Sequence, residues 1–161
     1  MSNIEIVEAD YSNPKHAKDI VFLLDGYAQD PMGGAKPLKT EIKNNLISAL
    51  SKRSDAFSIL AYVGDRPAGL ANCFEGFSTF KCKPLINIHD MAVYPEFRGM
   101  QISQKILKKI EQIALERNAC KITLEVLSEN EPAQKAYKKF GFEGYALDPE
   151  KGHALFWEKS I

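Results

Sequence analysis

Between Leu85 and Asn118 the chain changes its hydrophobic period once, and that change limits the folds open to it more than any other feature. Ile86, Ile88, Met91, Ala92 and Val93 make an apolar run stopped by Pro95, the pattern of a central strand. Ile102, Ile106, Ile110 and Ile113 then recur at helical spacing, flanked by Leu107 and Ala114, so a one-sided helix follows to about Asn118. A buried strand that feeds straight into such a helix needs a sheet for the helix to cover. The same succession occurs again downstream. Ile122, Leu124 and Val126 alternate with Thr123 and Glu125, and after Glu131-Pro132 the residues Ala133, Ala136, Tyr137 and Phe140 mark a helix that stops at Gly141.

Upstream, Ile4, Ile6 and Ala9 read as a short strand, and Asn13-Pro14 supplies an N-cap and first-turn pair. Ala17, Ile20, Val21, Leu24 and Ala28 predict a helix to about Gln29, followed by a loop over Asp30 to Pro37 and a second helical stripe at Leu38, Ile42, Leu46, Ala49 and Leu50. Two strands, Phe57 to Val63 and Ala68 to about Phe80, join through a tight turn at Gly64-Asp65-Arg66-Pro67, and Phe142 to Leu147 and Ala154 to Glu158 are expected to close the sheet. The predicted order is β-α-α-β-β-β-α-β-α-β-β. This is an α/β (α+β) fold with a mixed central sheet of about seven strands and helices on both faces.

Composition sets the outer limits. A chain of 161 residues with 45% hydrophobic content suits one domain, residues 1–161, with an ordinary core. Lys plus Arg and Asp plus Glu both number 21, so no overall field draws the protein to nucleic acid or an anionic membrane, and neither is expected as a partner. Cys73, Cys82 and Cys120 are odd in number and lack metal-site or redox spacing, which predicts reduced thiols and no metal. No run approaches the roughly 18 apolar residues of a membrane span, and Met1 to Asp10 lacks a leader pattern. A cytoplasmic location is expected.

The chemistry should sit where the central strand meets its helix, at Val93-Tyr94-Pro95-Glu96-Phe97-Arg98-Gly99-Met100-Gln101-Ile102-Ser103. Free backbone N–H groups and the positive end of the helix dipole at such a junction suit a pyrophosphate. This run resembles the acetyl-CoA signature of the Gcn5-related N-acetyltransferase (GNAT) superfamily, an Arg or Gln followed three positions on by Gly and two further on by Gly or Ala. Arg98 fills the first position, whereas Gln101 and Ser103 stand at the other two. Gln101 is expected to have an ordinary negative φ, because it opens a regular helix. The second half, Leu124-Glu125-Val126-Leu127-Ser128-Glu129-Asn130 with Ala136-Tyr137 and Phe140-Gly141-Phe142, is similar to that superfamily's other signature.

The resemblance implies transfer of an acetyl group from acetyl-CoA to a primary amine by direct attack, without a covalent enzyme intermediate and without a metal. It makes Arg98, Gly99, Met100, Gln101, Ile102 and Ser103 the phosphate loop, and gives the backbone of Met91, Ala92 and Val93 the pantetheine arm and the thioester carbonyl. Asn130 becomes a pantetheine contact or a loop-ordering residue, and Tyr137 the acid that protonates the leaving thiolate. An attacking ammonium must first lose a proton. Glu125 is the first candidate base and His89, whose side-chain type changes charge near neutral pH, the second. Strand alternation puts His89 on the side of Asn87 and Met91 and turns Asp90 away; Glu75 is the third candidate. The loop Gln29 to Leu38, with Gly33-Gly34 as a mobile lid, and the segment Cys73 to Phe80 should line the acceptor pocket. Phe74, Phe77 and Phe80 read as an apolar entrance or a dimer surface, so a homodimer stays open, and Lys138 and Lys139 as solvated helix charges. The acceptor is a small-molecule or peptide amine. The competing reading is a non-catalytic acyl-CoA-binding sensor or assembly module of the same fold.

Overall fold

A computed structural model describes residues 3–145 and 148–161. Strand β1 (Ile4–Glu8) leads to helix α1 (Pro14–Gln29), a 3-10 turn at Pro31–Gly33 and helix α2 (Thr40–Ser51). Strands β2 (Ala56–Val63), β3 (Arg66–Ser78) and β4 (Lys83–Val93) follow, then helix α3 (Ile102–Glu116), strand β5 (Ile122–Leu124) and helix α4 (Glu131–Phe140). Among the described residues the sheet has five strands in the order β1-β2-β3-β4-β5. The first four are antiparallel, and β5 joins β4 in parallel.

Local chemistry explains the helix ends. Asn13 Oδ1 accepts the N–H of Lys15 (2.9 Å) and of His16 (3.3 Å), with Pro14 in the first turn of α1. Asn130 Oδ1 accepts the Ala133 N–H (3.3 Å) at the start of α4, and Gly141, at φ 111°, ends it. The β2–β3 loop is tighter than expected. Val63 pairs with Arg66, and Pro67 already lies in β3 opposite Tyr62, beside a break in register at Ala61/Tyr62; a residue with no N–H cannot complete the ladder there.

Two cores flank the sheet. On one face Ile102, Ile106, Leu107, Ile110 and Ile113 of α3 pack on Ile59, Ala61, Ala71, Ile86 and Ile88. On the other, Ile20 and Leu23 of α1 pack on Leu60, Tyr62 and Leu70. Each of these large side chains contributes about 1.5–3 kcal/mol of burial. The close seating of α3 depends on Gly69, where a Cβ would lie 2.9 Å from both Ile102 Cγ2 and Ile106 Cδ1. The buried Asp19 carboxylate is satisfied by Tyr62 Oη (2.8 Å) and Lys15 Nζ (2.6 Å).

Among the described residues the sheet therefore has five strands where about seven were expected. Residues 142–145 and Ala154 to Glu158 have no regular structure, and Ala146 and Leu147, the end of the expected sixth strand, lie outside the described residues. Alternating apolar residues make a strand only where another strand offers a ladder. Val126 likewise falls beyond β5 and is exposed. Cys73, Cys82 and Cys120 are free thiols, and among the described residues no helix is long and apolar enough to cross a membrane.

Candidate active site

Ile88↔Leu124 is the last residue pair between β4 and β5. Beyond it β4 continues alone to Val93, hydrogen-bonded to β3 on one side only. Met91, Ala92 and Val93 thus border a fork in the sheet, where backbone groups aimed toward β5 have no strand partner. A cleft of about 440 Å³ opens there, lined by these three residues, by Tyr27 of α1, Asp30 and Met32 of the following turn, Arg98, Ser103, and Asn130 and Tyr137 of the α4 segment.

The loop into α3 is built for an anion. Gly99 has φ 83° and Gln101 φ 59°, whereas Met100 between them and Ile102 after them are not in the positive-φ region. Alternating signs of φ turn successive N–H groups into one concavity, here at the N-terminus of a helix. The expectation of an ordinary φ at Gln101 is corrected by this geometry: the loop keeps the left-handed conformation that glycine would adopt freely. Ile102 is buried, and of the predicted loop residues only Arg98 and Ser103 line the cleft. The Arg98 guanidinium reaches Val93 O (3.4 Å) and Asp30 Oδ2 (3.2 Å). Bidentate pairing of Arg66 with Glu96, and the stacking of Arg66 over Phe97, brace the 3-10 turn at Pro95–Phe97 that precedes it.

Tyr137 projects from α4 and touches Phe142 edge-on, at 5.9 Å between rings. Gln104 Nε2 of α3 donates to the carbonyl of the preceding residue, Ala136 (2.9 Å), which ties the two helices together beside it. Burial, and then the nearby Tyr27, push the Tyr137 phenol up to about 12. Among the described residues its hydroxyl makes no side-chain hydrogen bond, so it opens to the cleft as a protonated donor.

The other predicted residues spread differently. His89 is exposed and is the bulged residue of β4, because Asn72 pairs with Asp90 while Cys73 pairs with Ile88. The bulge reverses the alternation expected from sequence. Met91 packs with the α3 core, whereas His89 meets the Phe74 ring edge-on at 5.7 Å and Asp90 turns to the α1 side. Glu125 is exposed, one residue past β5, so Glu125 and His89 are the first residues beyond the fork on their two strands. Glu75 lies on the α3 side, paired with Arg117 (3.4 Å). Phe77 and Phe80 are exposed. Asn130 lines the cleft and caps α4 at once.

A polar chain escaped the sequence reading. Tyr11 Oη lies 2.8 Å from Ser58 Oγ, Ser58 Oγ donates to Asn72 Oδ1 (2.7 Å), and Asn72 Nδ2 donates to Asp90 Oδ2 (3.0 Å). Since the Ser58 proton goes to Asn72, Tyr11 donates to Ser58, and every donor points toward the carboxylate. The signal was present as two polar residues, Ser58 and Asn72, in otherwise apolar strand cores, both fully buried. Tyr27 is raised by burial and then by the nearby Asp90 and Asp30 carboxylates; Tyr27 and Asp30 line the cleft, and Asp90 lies outside its lining.

A forked sheet, a positive-φ loop at a helix start and a half-buried phenol meet at this cleft. The profile of the "Acetyltransferase (GNAT) family" matches residues 23–142. The chain belongs to the GNAT acetyltransferases. One relative is the thialysine N-epsilon-acetyltransferase of Caenorhabditis elegans, 24% identical over 143 residues, which are 85% of this chain and 81% of that protein. Among solved structures, a probable acetyltransferase superposes with a TM-score of 0.80 at 22% identity, over 97% of this chain and 99% of the other. The aminoglycoside enzyme AAC(6')-Iy, solved with the bisubstrate analog CoA-S-monomethyl-acetylneamine, superposes with a TM-score of 0.76 at 15% identity, over 99% and 100%. Both structures share the GNAT fold with this chain.

Proposed function

We propose that this GNAT protein transfers an acetyl group from acetyl-CoA to a primary amine on a small molecule or peptide, by direct attack within the forked cleft. The observation that carries the reading is the continuity of the cleft, which runs from Arg98 and Ser103 past the unpaired edge of β4 to Tyr137. The residues present fit the co-substrate. Concave N–H groups at Gly99 to Ile102 and the Arg98 guanidinium suit its pyrophosphate, and the one-sided backbone of Met91, Ala92 and Val93 suits its amide arm. When bound, acetyl-CoA supplies the acetyl group as an activated thioester.

In this reading the β4 N–H groups polarise the thioester carbonyl, a contribution of roughly 3–4 kcal/mol for comparable donors. Tyr137 stays protonated because burial disfavours its phenolate. It donates to the leaving sulfur, whose own proton affinity rises as negative charge develops on it. Asp90, fixed by Asn72 and Ser58, is an anionic partner for the incoming ammonium. We assign removal of the ammonium proton to Glu125, acting through water from its place at the fork, with His89 across the fork as the rival. The name of the worm relative, a lysine-analogue acetyltransferase, points to the same class of acceptor, an alkyl ammonium.

The test is a release assay for free thiol, run with acetyl-CoA against a panel of thialysine, polyamines, aminoglycosides and peptides with a free N-terminus. Acceptor-dependent thiol release is expected. Thermal stabilisation by acetyl-CoA with no release for any amine would instead support a non-catalytic acyl-CoA binder, and no stabilisation at all would remove the reading.

A further inference from the structure

One side chain belongs to both halves of the cleft. Arg98 leaves the loop before α3, and its Nη2 reaches Asp30 Oδ2 at 3.2 Å, on the turn after α1, 68 residues away in sequence. Its Nε lies 3.4 Å from Val93 O, at the end of β4. The two partners are unequal. The Arg98 side chain is 59% exposed, whereas that of Asp30 is 28% exposed and is held from behind. Asp30 Oδ1 accepts the Met32 N–H (3.0 Å), and the Asp30 carbonyl accepts from Gly33 (2.8 Å) and Ala35 (3.1 Å). The rest of the loop is tied down as well. Lys36 N–H donates to Ala28 O (3.0 Å), and Asp25, paired with Lys43 at 3.0 Å, accepts the Leu38 N–H (2.8 Å). Gly33 sits so close to α1 that a Cβ there would fall 1.9 Å from Tyr27 O. The loop expected to be a mobile lid is thus a wall fastened to α1 and α2, and the member of the ion pair with room to move is the long Arg98 side chain.

Taking acetyl-CoA as the co-substrate, as proposed above, we propose that Arg98 and Asp30 form an exchangeable latch: Arg98 leaves Asp30 for the pyrophosphate, and the bared Asp30 carboxylate becomes the cleft contact that selects a cationic acceptor. An ion pair with a largely exposed arginine is weak. Phosphate oxygens carry more charge than one carboxylate and accept the same fork of guanidinium donors, so the exchange runs toward the phosphate. Asp30 itself stays in place through its Met32 hydrogen bond, which, ahead of Arg98, also holds its carboxyl below the ordinary range. A fixed anion that has lost its cation then attracts an alkyl ammonium. Asp30 is placed for this contact, since it lines the cleft with Tyr27 and Tyr137 whereas Asp90 does not. Linkage makes the effect reciprocal: an occupied phosphate loop raises the affinity for the amine, and a bound amine raises the affinity for CoA by the same factor.

Calorimetric titration with CoA separates a latch from a fixed brace. Asp30→Asn removes the charge that holds Arg98 and keeps an oxygen for the Met32 N–H, so CoA should bind about two- to fivefold more tightly than to wild type. Against an Arg98→Gln background the same change should leave CoA affinity unaltered, because no guanidinium remains to be released. The panel amine that releases most thiol should bind wild type more tightly with saturating CoA than without it, and Asp30→Asn should abolish that gain. Wild-type or weaker CoA binding by Asp30→Asn overturns the latch and leaves acetyl transfer standing, with Arg98 a brace between two loops. Tighter binding that persists without Arg98 also overturns it, as does an amine affinity indifferent to CoA. A wild-type protein that binds no CoA removes the acetyl-CoA reading and the latch with it.

Discussion

At the residue scale, Gln101 carries a measurable strain. Its φ of 59° belongs to the left-handed region, which costs a non-glycine residue on the order of 1–2 kcal/mol. Gln101→Gly should therefore stabilise the protein by about 1 kcal/mol after glycine's own entropy is deducted, roughly 2–4 °C in Tm for a chain of this size. Thermal denaturation decides it, and an unchanged or lower Tm means the loop is not strained. The reacting side chains make a second prediction. Tyr137→Phe should lower turnover about 100-fold or more and leave acetyl-CoA affinity within about twofold, because only a transition-state contact is lost. Since burial pushes the Tyr137 phenol up to about 12, wild-type turnover should show no falling limb from this group below about pH 10. Glu125→Gln should lose most at low pH and recover as the acceptor deprotonates. If His89→Gln shows that pattern while Glu125→Gln matches wild type, the base is His89.

At the scale of elements, function depends on where α3 and α4 rest on the sheet. The first residue of α3, Ile102, both closes the phosphate loop and presses on Gly69 of β3. Gly69→Ala should push the start of α3 outward, costing about 1–3 kcal/mol in urea denaturation through overpacking. It should also weaken acetyl-CoA binding, although residue 69 lies outside the cleft. Loss of stability with unchanged affinity would show that the loop is positioned independently of the helix behind it. The Gln104 bond to the Ala136 carbonyl transmits the same seating to α4, and so to Tyr137.

For the whole molecule, stability should respond to pH at both extremes. Tyr11, Tyr27 and Tyr62 are raised, chiefly by burial, and Tyr137 and Cys73 are each pushed up to about 12. Unfolded, these groups release protons near their ordinary values, about 10 for tyrosine and 8.5 for cysteine. The unfolded chain then holds fewer protons than the folded one, so stability is full below about pH 8.5 and falls as pH climbs toward 12. On the acid side, hydrogen bonds from Ser12, the Met32 N–H, Arg53 and Arg66 lower Asp10, Asp30, Asp55 and Glu96. Their contribution is present above the ordinary carboxylate range and is lost as pH falls through it. Urea midpoints measured from pH 3 to 11.5 should trace a plateau with two falling sides; a midpoint flat from pH 8 to 11.5 contradicts the burial of the phenols.

The sequence by itself determined every helix, the strands β1 to β5 in their order, and the stretch from Arg98 to Ser103 as the loop between strand and helix. These rest on local causes: apolar period, capping at Asn13, and the stop at Gly141. Tyr137 was singled out by the resemblance, as an aromatic on a helix that follows a strand and an Asn, and the structure brings it to the cleft. Only the tertiary structure decided the rest. The bulge at His89 comes from the pairing of β3 with β4, and by shifting alternation one residue it sent Asp90 to the α1 side against expectation. The left-handed Gln101 follows from how α3 must enter its seat on Gly69, which no window of sequence contains. The chain from Tyr11 through Ser58 and Asn72 to Asp90 joins residues from a loop and three strands, a juxtaposition set by sheet register. Residues 142–145 and 154–158 kept a strand's sequence without its structure, because a strand needs a ladder partner that alternating residues cannot supply for themselves.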